Sequence, residues 1–273
     1  MQNKLGVMQG RLLPKYQGRY QAFPIEDWQD EFKIAKIFDL DLIEFILDFN
    51  DFEDNPLLNN DGIDLIKNLE KESGVSVKTI CADYFMEAPL HSDNSSVANN
   101  SVRVLESLIL AASRLEATEI IIPCVDQSSL ETSEAKDRFV HKVSKFFPLI
   151  EKENINLALE TDLPPKSFVK LLNELKSDNI TVNYDIGNSA SLGFDTDEEL
   201  DAYGDRISDI HIKDRVLNGG PVFLGEGDAD FEKFFNKLKS FDYKGPFIMQ
   251  AYRDEEGVEI FKKQLSWVKQ FLN

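Results

Sequence analysis

Three apolar segments in succession end in, or carry near their end, a side chain able to hold a metal ion. "INLALE" (155–160) closes on Glu160, "ITVNYD" (180–185) closes on Asp185, and "ISDIHI" (207–212) carries His211 one residue before its end. Two carboxylates and an imidazole suit one divalent cation such as Mn²⁺, Mg²⁺, Co²⁺ or Zn²⁺, with positions left open for substrate oxygens. A fourth segment, "PFIMQA" (246–251), brings Gln250, whose amide oxygen can add a further ligand. The competing reading makes Glu160 and Asp185 caps for the loops and helices that follow, and His211 a hydrogen-bonded structural residue.

Those four segments belong to a longer rhythm. Short runs rich in Val and Ile alternate with stretches of helical period from one end of the chain to the other. The predicted strands are 4–9, 40–46, 75–81, 118–123, 155–160, 180–185, 207–212 and 246–251, and the predicted helices lie near 26–38, 60–73, 96–115, 132–152, 165–177, 196–204, 229–241 and 255–272. In the 132–152 stretch, Phe139, Val143, Phe146, Phe147 and Ile150 recur at helical spacing. Asn94, Ser133 and Thr196 are placed to cap helix N-termini. Eight such βα units in 273 residues is the arithmetic of a single-domain (β/α)8 TIM barrel over 1–273. A doubly wound open sheet is the rival fold, but no Gly-rich phosphate turn follows the first strand.

A barrel of this kind collects its chemistry at the C-terminal ends of its strands. Read in order, those ends carry Gln9 and Arg11, Glu44, Cys81 and Asp83, Cys124 and Asp126, Glu160, Asp185, His211 with Lys213, and Gln250. Strand alternation turns Ile210 and Ile212 toward the helices and His211 and Lys213 into the mouth. Cations gather on one side: Lys213 and Arg215 after the seventh strand, Arg253 after the eighth, and Arg11, Lys15 and Arg19 after the first. The first, seventh and eighth strands neighbour one another in a closed barrel. The rim they form predicts a bidentate Arg grip on phosphate or carboxylate; the bland alternative is surface pairing with acids such as Asp214 and Asp254. His91, in "APLHSDN", is a candidate substrate contact, and His141 a solvated bystander on a helix. The "GEG" of 225–227 shapes a loop and cradles no nucleotide, since no strand immediately precedes it.

Composition narrows the partners. Thirty Lys and Arg stand against 49 Asp and Glu, a formal charge of −19 that opposes attraction to nucleic acid or anionic lipid. No apolar run is long enough for a signal peptide or a membrane span, which predicts a cytoplasmic protein. Cys81 and Cys124 lack zinc-type spacing and are expected to stay thiols. A homo-oligomer is compatible with all of this.

The segments "LALET" (157–161), "NYDIGN" (183–188), "DIHIKDR" (209–215), "LGEGDADF" (224–231) and "PFIMQAY" (246–252) give the whole chain a resemblance to the sugar phosphate isomerase/epimerase family of xylose-isomerase-like TIM barrels. The resemblance implies one divalent metal held by Glu160, Asp185, His211 and position 250, in an enzyme that moves protons beside a sugar carbonyl. It makes Glu160 the base and Lys213 a cation near the developing oxyanion. Asp83, His91, Asn188, Arg11, Arg215 and Arg253 are the expected contacts to a sugar or sugar phosphate. Two departures stand out: the family's usual last-strand Glu is Gln250, and a histidine that some members carry three residues after the aspartate is Asn188. They keep two alternatives alive, a related dehydratase and a catalytically lapsed sugar-binding barrel. A DNA-repair endonuclease of the same general fold needs a histidine-rich metal cluster, which three histidines do not supply.

Overall fold

The computed structural model describes residues 3–272. Eight parallel strands form the barrel: β1 (Leu5–Met8), β2 (Leu42–Ile46), β3 (Thr79–Cys81), β4 (Glu119–Cys124), β5 (Asn156–Thr161), β6 (Ile180–Asp185), β7 (Ile207–Ile212) and β10 (Phe247–Met249). Between β7 and β10 lies a two-stranded antiparallel hairpin, β8 (Asp214–Arg215) with β9 (Pro221–Val222). The barrel order, β1-β10-β7-β6-β5-β4-β3-β2, closes on itself, which excludes the open doubly wound sheet. β2, β3 and β4 are buried along their whole length, the burial expected of near-continuous apolar runs.

The helices are α1 (Asp30–Ile37), α2 (Asn60–Ser73), α3 (Tyr84–Glu87), α4 (Ser95–Leu115), α5 (Ser133–Val143), α6 (Phe147–Glu153), α7 (Pro165–Leu175), α8 (Ile186–Leu192), α9 (Thr196–Tyr203), α10 (Phe231–Leu238) and α11 (Val258–Leu272). The predicted 132–152 helix is two helices separated by a 3₁₀ turn at Ser144–Phe146. Pro148 sits in the first turn of α6, where its missing N–H costs nothing; inside one continuous helix it would break the i→i−4 ladder.

Asn94 caps α4 as expected, its Oδ1 accepting from the Ser96 and Val97 N–H groups. The other two caps lie one residue earlier than predicted. Thr132 Oγ1 accepts from Ala135 N, and Asp195 Oδ1 from Glu198 N, because the capping residue must itself be extended, as Thr132 and Asp195 are. Helices α3 and α8 lie outside the predicted helical stretches.

The chain divides into two compact units, Met1–Glu44 with Ser73–Ser76 and Asn183–Asn273, and Phe45–Glu72 with Val77–Val182. In the first, β1 pairs with β10 (Val7↔Met249) and with the start of β2 (Met8↔Glu44), and β10 pairs with β7 (Ile248↔His211). Val7, Met8, Phe32, Ile210 and Phe234 form its core. In the second, β3, β4 and β5 pair in sequence, flanked by the end of β2 and the start of β6, around Phe45, Phe85, Leu105, Ile121 and Phe139.

Candidate metal and substrate site

His211 lies on β7 with Asp209 two residues earlier on the same strand face, and both are 0 % exposed, as is Glu44 of β2, which pairs with Met8 of β1. His211 Nε2 is 2.9 Å from Glu44 Oε1 and 3.6 Å from Asp209 Oδ1. Asn183 Nδ2 donates to Asp209 Oδ1 at 2.9 Å. A carboxylate against Nε2 selects the tautomer with the proton on that nitrogen. The basic Nδ1 then faces Asp185, whose Oδ2 is 3.9 Å away. This is the support that a ligating histidine commonly receives from a buried carboxylate. Glu44, Asp209 and His211 also form a compact group of buried donors. In the sequence Glu44 shows only as a residue near a strand end, and Asp209 is a further inward residue of the β7 segment, since the alternation that turns His211 inward turns Asp209 inward too.

Asp185 has two tasks. Its Oδ1 caps α8 by accepting from Asn188 N at 2.8 Å, while its Oδ2 accepts from Lys213 Nζ at 3.2 Å. The capping interpretation and the ligand interpretation thus use different oxygens of one side chain. Lys213 also donates to Gln250 Oε1 at 3.0 Å, so it bridges two of the predicted ligands. The glycine of "NYDIGN" makes room for it: a Cβ on Gly187 would lie 2.8 Å from Lys213 Cγ. Gln250 Nε2 in turn donates to Gln21 Oε1 at 3.2 Å. On the hairpin, Arg215 donates through Nη1 to Asn188 Oδ1 at 2.8 Å and through Nε to Gly219 O at 2.9 Å.

Asp214, expected as a surface partner for these cations, is fully buried. Its carboxylate accepts from Gly225 N, Gly227 N and Ala229 N at 2.9, 3.0 and 3.2 Å, and so holds the "GEG" loop down. Burial raises its pKa against the pull of those same N–H groups. Only glycine fits at 227, where a Cβ would meet Asp214 Oδ1 at 2.1 Å.

The β1 side of the expected cationic rim is built differently. Arg11 and Arg253 are 2 % and 3 % exposed. Arg253 donates to Gly10 O at 2.6 Å and Leu13 O at 2.7 Å, and Arg11 donates to Ala251 O, Tyr20 O and Gln21 Oε1 at 3.1, 3.2 and 2.9 Å. The Arg11 guanidinium also lies over the Tyr20 ring, 5.0 Å from its centre. Glu31 of α1, fully buried, accepts from Gly10 N at 2.7 Å and Leu12 N at 3.3 Å. Burial pushes its carboxyl up to about 7, against those two N–H groups and the charges of Arg253 and Arg11. These guanidinium groups frame the loop after β1 instead of standing on an open rim, because backbone carbonyls of that loop take their donors. Lys15 follows the bland alternative and pairs with Glu255 at 2.7 Å.

In the second unit, Glu160 is buried at the end of β5. Cys81 Sγ donates to Asp83 Oδ1 at 3.3 Å, and burial pushes the Cys124 thiol up, helped by the negative charges of Asp162 and Glu160. Both cysteines are free thiols. His91 is buried edge-on to Phe139, with ring centres 6.0 Å apart, and burial with the Arg138 charge holds its imidazole down to about 4. It is a neutral ring packed on α5. Asp126 is exposed, and its N–H donates to Asp162 Oδ2 at 3.2 Å. His141 is exposed on α5, as expected.

A closed parallel barrel whose strand ends carry buried carboxylates beside a supported histidine defines a class, and comparison with known proteins supplies the family. Residues 32–271 match the profile of the xylose isomerase-like TIM barrel family, and the chain belongs to it. L-ribulose-5-phosphate 3-epimerase UlaE of Escherichia coli (strain K12) is 25% identical over 256 residues, covering 89% of this chain and 89% of the relative. Among solved structures, the apo form of 3-keto-D-glucoside 4-epimerase YcjR from E. coli shares the fold with a TM-score of 0.77 at 16% identity, over 98% of this chain and 99% of that one. D-allulose 3-epimerase from Methylomonas sp., in complex with D-allulose, does so with a TM-score of 0.75 at 17% identity, over 98% and 97%. None of the described helices is long and apolar enough to cross a membrane.

Proposed function

We propose that this protein is a divalent-metal-dependent sugar epimerase or isomerase that works by α-proton transfer on a small ketose, in its phosphorylated form. Its metal ligands are Glu160, Asp185, His211 and the amide oxygen of Gln250. The observation that carries the reading is the His211 environment: Nε2 is held by Glu44 at 2.9 Å, and Nδ1 is turned toward Asp185. A purely structural histidine has no reason to set an unprotonated ring nitrogen toward a second carboxylate, two acceptors that a cation between them would reconcile. Glu160 lies at the end of β5, next in strand order to Asp185 at the end of β6, and all three are buried donors of the kind a divalent ion takes. Support for the substrate class comes from the relative named an L-ribulose-5-phosphate 3-epimerase.

A divalent ion held by Glu160, Asp185, His211 and Gln250 would supply the positive charge that lowers the cost of removing a proton beside the sugar carbonyl. Glu160 takes the α-proton and returns it to the neighbouring carbon. Lys213 holds a second positive charge at the developing oxyanion through its contacts with Asp185 and Gln250. Arg215, steadied by Asn188 and the hairpin, grips the acidic end of the substrate, a task that suits guanidinium.

Gln250 favours a second reading of the reaction. An amide cannot accept and return a proton at neutral pH, so inversion at one carbon lacks an evident second base. A single base on one face fits aldose–ketose isomerisation. The test is proton NMR in deuterated water with Mn²⁺ and a panel of ketose phosphates and free ketoses. Deuterium at C3 identifies an epimerase and deuterium at C1 an isomerase. Neither deuterium exchange nor formation of an isomeric sugar from any substrate would refute catalysis and leave a sugar-binding barrel.

A further inference from the structure

Two side-chain amides, Gln21 and Gln250, stand in series between two cations. Arg11 Nη2 donates to Gln21 Oε1 at 2.9 Å, Gln250 Nε2 donates to the same oxygen at 3.2 Å, and Lys213 Nζ donates to Gln250 Oε1 at 3.0 Å. Arg and Lys have donors and no acceptor, whereas each amide has one end of each kind. Arg11 therefore requires the oxygen of Gln21 on its side. That oxygen requires the NH₂ of Gln250, and the oxygen of Gln250 is left pointing at Lys213, beside Asp185 Oδ2. Arg11 orients Gln250 through Gln21 and Lys213 orients it directly, and both select the same sense of the amide.

We propose that Arg11 and Gln21 are positioning residues that set which atom of the Gln250 amide faces the ligand cluster, and that the site is matched to an amide at position 250. This rests on the reading of Gln250 as a ligand. A carboxylate at 250 would set one of its oxygens against Gln21 Oε1, acceptor against acceptor. Gln21 could relieve the clash only by turning its NH₂ toward Arg11, donor against donor. Arg11 is itself anchored by donation to Ala251 O and Tyr20 O, so it does not simply swing away. The glutamine is thus coupled to its surroundings, not a carboxylate lost in isolation.

A double-mutant cycle on metal-free protein tests the coupling by thermal unfolding. Gln250→Glu gains a Lys213 pairing in any background, so its raw effect is uninformative. The informative quantity is the difference between backgrounds: the substitution should shift Tm less favourably beside Gln21 than beside Ala at 21 in Gln21→Ala, and equal shifts would overturn the proposal. Mn²⁺ titration calorimetry gives a second readout that loss of fold does not imitate. Gln21→Glu still accepts from both Arg11 and Gln250 and should bind Mn²⁺ at least as tightly as the unmodified protein. Gln21→Met cannot accept well and should bind roughly three- to tenfold more weakly, the loss of one hydrogen bond's orientation; unchanged binding in Gln21→Met would also overturn it. If the unmodified protein takes up no Mn²⁺, the ligand reading of the site fails, and the thermal cycle alone still decides the amide coupling.

Discussion

The loop after β1 and the cluster at the ends of β6, β7 and β10 use the same kinds of residue to opposite ends. Around the loop, Glu31 and Arg253 are buried and spend their polar atoms on the backbone groups of Gly10, Leu12 and Leu13. In the cluster, Asp185, His211, Lys213 and Gln250 face one another, while Asp185 Oδ1 accepts from a backbone N–H. The difference teaches that burial and charge do not by themselves mark a site. A charged group whose partners are main-chain atoms is fixing a loop. One whose partners are other ionisable side chains pays a desolvation cost that a ligand can offset.

Removing a ligand should give the largest break in that contrast. His211→Ala is expected to leave the purified protein with little bound metal and at least about a hundredfold weaker affinity, since even outer-shell partners are worth ten- to a hundredfold. Elemental analysis showing equal occupancy would remove His211 from the ligand set. Glu44→Gln comes next: the amide can still receive the Nε2 proton but no longer supports a more basic ring, so metal affinity should fall by about tenfold. An unchanged affinity would make Glu44 a packing residue. Because the histidine must be deprotonated to ligate, metal binding in the unmodified protein should weaken in mild acid.

Arg215→Ala and Arg253→Ala sharpen the comparison between the two regions. Loss of a charged hydrogen bond is worth about 1.5–3 kcal/mol. At Arg215 the loss should appear as a KM raised roughly ten- to a hundredfold for a phosphorylated sugar and much less for the free sugar. At Arg253 it should appear as a lowered Tm, with whatever change in KM occurs being alike for both substrates. A phosphate-selective KM effect at Arg253 would place it with the substrate contacts after all.

Much of the fold was legible because strand runs and helix periods repeat, and because Val- and Ile-rich runs buried on both faces are hard to read otherwise. Helix α8 was not legible: "IGNSASL" has no apolar stripe, and it forms because Asp185 caps it and Ser189 donates to Glu199 of α9, a carboxylate that Tyr184 of β6 and Tyr203 of α9 hold in place. At the site, strand alternation sufficed to turn His211 and Lys213 inward. Glu44 could be read only as a strand end, since its meeting with His211 depends on strands that are not adjacent, β2 and β7, which lie on either side of β1 and β10. The roles of Arg11 and Arg253 were out of reach for a different reason. A loop arginine announces its charge, but not whether carbonyl oxygens will be waiting for its donors.

The last expected effect is the pH dependence of the loop frame. Glu31 in the folded protein titrates near 7, raised from 4.5 by burial. For an acid raised in this way, the unfolded chain holds fewer protons than the folded one between the two values, so stability declines as pH rises from about 4.5 to 7 and levels off above. The shift measures a cost of ionising Glu31 in place, which its two backbone N–H donors and the Arg253 and Arg11 charges only partly offset. Glu31→Gln retains an oxygen for Gly10 N and Leu12 N but has nothing to titrate. Its Tm should therefore fall less steeply over that interval than that of the unmodified protein, so that the two curves converge or cross toward neutral pH. The remaining slope reports every other titrating group, and the difference between the curves isolates Glu31. If the two proteins show the same slope from pH 4.5 to 7, the carboxyl is not held protonated in the folded loop, and Arg253 and Arg11 neutralise it more fully than its burial suggests.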